Sequence, residues 1–190
     1  ALVYYRIGDA ALLGAAAWMH HAFPAAEFSH FGEDSTVATA KIVAAALLVA
    51  TLAKSAQLPL SPWLHRAMEG PAASSAIFYG ALSVHLGPFL LLRTAGLWLP
   101  FPGIRWAMAA IGLSTALYAS TVGRTRPDAK TALAYATMTQ LGFVFVEVAA
   151  GLHTLALVHV WANAGLRTWQ FLRSSSLIQD LQENPLVGAD

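Results

Sequence analysis

The sequence predicts an all-α fold, a polytopic membrane helix bundle of about six crossings, and three observations carry that reading. Of 190 residues, 57% are hydrophobic and 11% charged, with a mean hydropathy of +0.56. A soluble domain carries about 25% charge because it must present that much polar surface to water. Apolar runs long enough for a span of about 20 residues recur along nearly the whole chain. The polar residues that interrupt them, Lys54 foremost, stand beside prolines or deep inside apolar runs rather than between them.

The spans follow in order as 7–23, 37–57 continued by a short piece to about 70, 73–95, 103–122, 129–150 and 152–173. Ala, Leu, Val and Gly dominate them, and small residues let helices approach closely in lipid, where van der Waals contact replaces the hydrophobic effect. In the second span Pro59 and Pro62 lack amide donors, and the prolyl rings disfavour a continuous ladder, so a helix interruption is predicted between Gln57 and Trp63. Short turns join the later spans into an antiparallel bundle. The bundle takes residues 1–173, and 174–190 form a polar tail, read either as a frayed end or as a short amphipathic piece on the membrane surface. Opening on Ala1 rather than methionine, the sequence reads as a piece of something longer.

Composition also excludes. The net charge is +1 with no basic cluster, against nucleic-acid binding. Cysteine is absent, which removes disulfides, thiolate nucleophiles and thiolate metal ligands. The glycines form no phosphate-binding pattern, and no signal peptide is recognisable, since the first apolar stretch contains Asp9. His20, His21 and His30 have some metal-site flavour, but adjacent residues face different sides of a helix, so no metal is expected. The tryptophans stand mostly near predicted helix ends and read as interfacial anchors. Basic residues favour the cytoplasmic side. Arg6, His65 with Arg66, the Gly123–Lys130 turn and Arg173 define that side, opposite Glu27, Glu33 and Asp34, with Arg93 and Arg105 dissenting.

Lys54 carries most of the chemistry. It falls on the last turn before the predicted break, where a helix C-terminus favours a cation, and backbone groups freed there need polar partners such as Ser55, Gln57 and Ser61. Two readings compete: a lysine deep in the membrane that loads and releases a proton, or one that snorkels to a headgroup. Tyr79 and His85 lie in the third span, and Lys130, Tyr135, Thr137, Thr139, Gln140 and Glu147 in the fifth. In the sixth, His159, Asn163 and Arg167 share one helical face at i, i+4, i+8. A satisfied interhelical hydrogen bond and proton relay weigh equally for His159. Arg167 holds its proton too tightly to relay it, but sets the potential of its neighbours. Glu69 reads as a helix-end or interface carboxylate, and Asp9 and Arg6 as pairing with each other or with a loop.

Two motifs together carry a resemblance. Lys54-Ser-Ala-Gln-Leu-Pro-Leu60, followed by Trp63-Leu64, Ala67-Met-Glu-Gly-Pro71 and Ser75-Ala-Ile77, resembles the broken-helix signature of the antiporter-like membrane subunits of respiratory complex I, subunit L above all. Asp128-Ala-Lys-Thr-Ala-Leu-Ala-Tyr-Ala-Thr-Met-Thr-Gln-Leu-Gly142 resembles the second signature of that family, usually DIKxxLAYSTxSQxG. The resemblance runs from Arg6 to about Arg173 and covers the middle of a full member. It implies that Lys54 is the family's central lysine, whose glutamate partner precedes this sequence. Tyr79 stands where a connecting histidine is usual, His159 matches the first of two histidines, Asn163 replaces the second, and Arg167 replaces a lysine. With Lys130, these form the candidate ion path; no covalent catalysis, cofactor or metal is expected in this chain. The resemblance further implies a multi-pass subunit of the cell inner membrane that moves protons or monovalent cations within a complex I-like NADH–quinone oxidoreductase. A cation/proton antiporter, an inorganic-carbon uptake complex and a non-conducting scaffold are the alternatives.

Overall fold

The computed structural model describes residues 2–22, 37–67 and 72–174. The acidic loop with Glu27, His30, Glu33 and Asp34, the carboxylate Glu69 and the tail beyond Ser174 lie outside the described residues.

Every described element is helical: α1 Leu2–Ala22, α2 Val37–Lys54, α3 Trp63–Arg66, α4 Ala72–Ser75, a π-helical stretch Ala76–Leu82, a 3-10 turn Ser83–His85, α5 Leu86–Arg93, α6 Ala95–Trp98, α7 Pro102–Gly123, α8 Ala129–Ala150 and α9 His153–Arg173. The six expected rods are therefore present. Three stretches, Val37–Lys54, Ala73–Arg93 and Ala129–Ala150, are long and apolar enough to cross a membrane by length and composition. α1 and α9 are of similar length, but Arg6 with Asp9 and the His159–Arg167 row put more polar side chains into them.

The helix ends follow local chemistry. Pro102 opens α7 where its missing amide costs nothing. Asp128 caps α8, its carboxylate accepting from the Thr131 amide at 2.7 Å. Gly151, at φ +84°, closes α8 in the left-handed conformation, and the Leu152 amide reaches back to the Glu147 carbonyl at 2.9 Å. That two-residue turn sends α9 back along α8.

Three antiparallel pairings build the bundle. Gly8 lies so close to α2 that a Cβ there would sit 2.9 Å from the Ala53 Cβ. α7 and α8 cross backbone to backbone, a Cβ on Gly112 falling 2.6 Å from the Gly142 carbonyl oxygen. α9 returns along α8 and packs on the π-helical stretch at Gly80, where a Cβ would be 3.0 Å from the Thr168 amide nitrogen. The third span is thus not the uniform helix expected: close approach of α9 accompanies a widened turn and then a tightened one, a combination common near functional positions. One apolar cluster joins α2, α5, α7, α8 and α9 around Met108 and Phe145, and a second gathers Trp63, Tyr135, Met138 and Phe171.

The tryptophans divide. Trp106 and Trp161 are 76% exposed, as anchors should be, but Trp63 and Trp98 are fully buried. Their indole N–H groups donate to the carbonyls of Ala53 (3.1 Å) and Leu91 (2.9 Å). The anchor reading is corrected for these two, because a carbonyl left open at a helix end offers an indole the partner that a headgroup would otherwise supply.

Candidate ion-path site at the α2 break and the α8–α9 seam

α2 ends at Lys54, and the chain runs irregularly through Ser55–Pro62 before α3. The interruption starts a little earlier than Gln57, for a reason visible in the ladder. Pro59 cannot donate to the Ser55 carbonyl, and the Gln57 side-chain amide takes that carbonyl instead, at 3.1 Å. Leu58 donates its amide to Thr115 Oγ1 of α7 at 3.0 Å, and the Trp63 indole serves Ala53. Side chains thus satisfy a break that would otherwise be costly in an apolar setting. Ala56 turns the chain at φ +51°.

Lys54 Nζ donates to Asp9 Oδ1 at 2.6 Å and lies 4.8 Å from the Tyr5 ring centre. Gly8 makes this possible, since the close α1–α2 approach at Ala53 delivers the next residue, Asp9, to the lysine. The expectation that Asp9 pairs with Arg6 or a loop is thereby corrected: among the described residues, Asp9 is the carboxylate of Lys54. Lys54 is also less buried than expected, its side chain 25% exposed and that of Asp9 40%. α1 presents most of its surface outward, so the pair sits at the edge of the described bundle. Beside it a cavity of about 310 Å³ is lined by Tyr5, Thr51, Lys54, Ser83, Gly87 and Leu90, among others.

A second polar assembly runs along α9. The His159 ring lies between Glu147, 2.8 Å from Nδ1, and Gln140, 2.9 Å from Nε2, both on α8. One turn on, Asn163 Nδ2 donates to His85 Nε2 at 3.0 Å, and Asn163 Oδ1 accepts from Arg167 Nε at 3.3 Å. Arg167 also donates to Gln170 Oε1 at 2.6 Å. His159, Asn163 and Arg167 do share the face that their spacing requires. A cavity of about 280 Å³ between α7, α8 and α9 reaches from Gly123 and Arg124 to Gln140 and Arg167.

Tyr79 is placed apart from this row. Its ring packs against Trp63 at 6.2 Å, which in turn meets Tyr5 at 4.8 Å. His85 is the third-span residue that hydrogen-bonds to the polar row of α9, and the irregular turn explains the change: Ser83 faces Tyr5, whose hydroxyl is 3.2 Å away, while His85 two residues on faces Asn163. Lys130 is buried in the first turn of α8, about 15 Å along the helix axis from Gln140. Asp9, His85, Gln140 and Glu147 were not among the leading candidates from sequence, since each is recognisable only through a partner on another helix. Among the described residues no cluster of three metal-ligating side chains occurs; His30 of the histidine group lies outside them.

An apolar bundle with one helix interrupted at a lysine, and with Lys54–Asp9 and His159–Glu147 paired between helices, defines a membrane protein of the broken-helix type. Residues 1–185 match the family described as NADH:quinone oxidoreductase/Mrp antiporter, transmembrane. The chain belongs to that family. It is 38% identical over 149 residues to the chloroplastic NAD(P)H-quinone oxidoreductase subunit 5 of Piper cenocladum, covering 78% of this chain and 20% of that protein. To NAD(P)H-quinone oxidoreductase chain 5 of Synechocystis it is 33% identical, covering 100% of this chain and 30% of the relative. The structure of the Mrp complex from a Dietzia species contains a chain that superposes with a TM-score of 0.84 at 30% identity, over 90% of this chain and 20% of that one. The chain therefore spans a fifth to under a third of the length of these relatives.

Proposed function

We propose that this chain is the proton- or cation-translocating part of a multi-pass inner-membrane subunit in a complex I-like NADH–quinone oxidoreductase assembly. The observation that carries the reading is the Lys54–Asp9 pair at the α2 break, 2.6 Å long. An ion pair beside an interrupted helix can open and close as a partner subunit shifts the potential, and lysine can gain or lose its proton in response. Energy and electrons come from other subunits. The fold likeness to a chain of an Mrp complex supports the second reading, a cation/proton antiporter assembly.

The test is proton flux into vesicles carrying the complete assembly, with the amount of assembled protein measured in parallel. Lys54→Ala is expected to abolish most flux while leaving the assembly in the membrane. Asp9→Asn is expected to reduce it and Asp9→Glu to retain much of it. Normal flux in Lys54→Ala would instead establish a scaffold, and a requirement for sodium would select the antiporter reading.

A further inference from the structure

Glu147 and His159 present a feature that the Lys54 centre does not explain. With the Gln140 amide oxygen towards the ring, both imidazole nitrogens of His159 face oxygen acceptors, at 2.8 and 2.9 Å. Only the doubly protonated ring donates to both. Glu147 supplies the counter-charge through Oε1, and its Oε2 is buried without a partner among the described residues. On one side the cavity lined by Arg124 and Arg167 ends at Gln140. On the other, Glu147 stands one turn from Gly151, where α8 ends. We propose that Glu147 and His159 form a proton-storing station separate from Lys54, loaded through Gln140 from the cavity that opens at the Gly123–Arg124 end of the bundle.

The step balances within the chain. A proton arriving through the cavity binds the bare Nε2 of neutral His159, whose Nδ1–H already donates to Glu147. The ring becomes an imidazolium facing the Glu147 carboxylate. Discharge passes the Nδ1 proton to Glu147, leaving a neutral ring protonated on Nε2 and a neutral carboxyl. The carboxyl releases its proton towards the Gly151 end, and tautomer exchange of the ring then restores Nδ1–H and a bare Nε2 before the next proton binds. Gln140 accommodates both states, because turning its amide presents NH2 to a bare Nε2 and oxygen to a protonated one. It is a positioning residue. The other titratable groups on the elements packed around the pair are Lys130 and Tyr135 on α8, Arg105 and Tyr118 on α7, His153, Arg167 and Arg173 on α9, His85 on the 3-10 turn, Tyr79 on the π-helical stretch and Arg93 at the end of α5. Arg105 Nε donates to the Ala149 carbonyl at 2.9 Å, two residues beyond Glu147. His85 accepts from Asn163 and so serves as a neutral neighbour.

The proposal rests on the translocation reading, so its test has one arm that does not use flux. In the complete assembly with ¹⁵N-labelled histidine, His159, assigned by its loss in His159→Gln, is expected to show two protonated ring nitrogens at neutral pH. That signature should persist in Glu147→Asp and vanish in Glu147→Gln. In the flux arm, Glu147→Gln is expected to lower the rate about tenfold or more, in the range typical of a lost proton-transfer group, with Glu147→Asp restoring most of it. Gln140→Leu should change the pH profile of flux measured from the Arg124 side. A neutral His159 in the unsubstituted protein overturns the station. So does unchanged flux and pH profile in Glu147→Gln where Lys54→Ala abolishes transport. If Lys54→Ala transports normally, the translocation reading fails, and the ring's protonation alone decides whether the station exists.

Discussion

Asn163 and Arg167 depart from the histidine and lysine expected by resemblance, and the contacts show the departures to be coupled. Asn163 links its neighbours by donating and accepting at once: its NH2 serves His85 and its oxygen takes Arg167 Nε. A guanidinium needs acceptors in a fixed fork, and Asn163 with Gln170 supplies two. Arg167 is thus a permanent charge held by amide oxygens, able to bias its neighbours but not to carry a proton. Arg167→Ala is expected to shift the pH profile of flux and to lower the thermal midpoint of the detergent-solubilised protein, since each charge-assisted hydrogen bond lost costs about 1.5–3 kcal/mol. Arg167→Lys should keep part of both. An unaltered pH profile in Arg167→Ala would leave a purely structural role for the arginine.

At the scale of elements, the break after α2 is where sequence reasoning reached furthest. Pro59 and Pro62 foretold the interruption, and the need for polar partners followed from the missing donors. Which partners arrive could not be read, because Thr115 and the Trp63 indole depend on how α7 and α3 fold back over the break. The same limit hid the ion pairs. Asp9 and Lys54 are 45 residues apart and Glu147 and His159 12 apart, and neither spacing is informative until crossing geometry is known. The face of α9 was legible because it needs only the helical period. Trp63 tests the account of the break. Trp63→Phe keeps an aromatic ring against Tyr5 but leaves the Ala53 carbonyl unserved, so a loss of about 1–3 kcal/mol is expected for the buried acceptor. It should appear as a lower thermal midpoint, with less assembled complex in the membrane; an unchanged midpoint would mean that another group takes over the carbonyl.

For the molecule as a whole, the two polar centres depend on how tightly the rods lie together. The α7–α8 crossing has no side chain at its centre: a Cβ on Gly142 would stand 2.5 Å from the Gly112 carbonyl oxygen and 2.8 Å from the Ala116 amide nitrogen. Both are backbone atoms that cannot rotate away, so any side chain there forces the helices apart. α8 also carries Gln140 and Glu147, two residues before and five after that glycine, and both must meet His159 on α9. Gly142→Ala is therefore expected to cost about 1–3 kcal/mol through overpacking and to reduce flux beyond the fall in assembled protein, because the seam shifts while its residues remain. Gly14 and Gly165 are the controls, since a Cβ at either meets nothing within 4 Å. Replacing a helical glycine by alanine in open space gains up to about 1 kcal/mol, so Gly14→Ala and Gly165→Ala should match or exceed the parent in thermal stability. Equal behaviour of all three variants would show that close α7–α8 contact does not hold the polar seam in register.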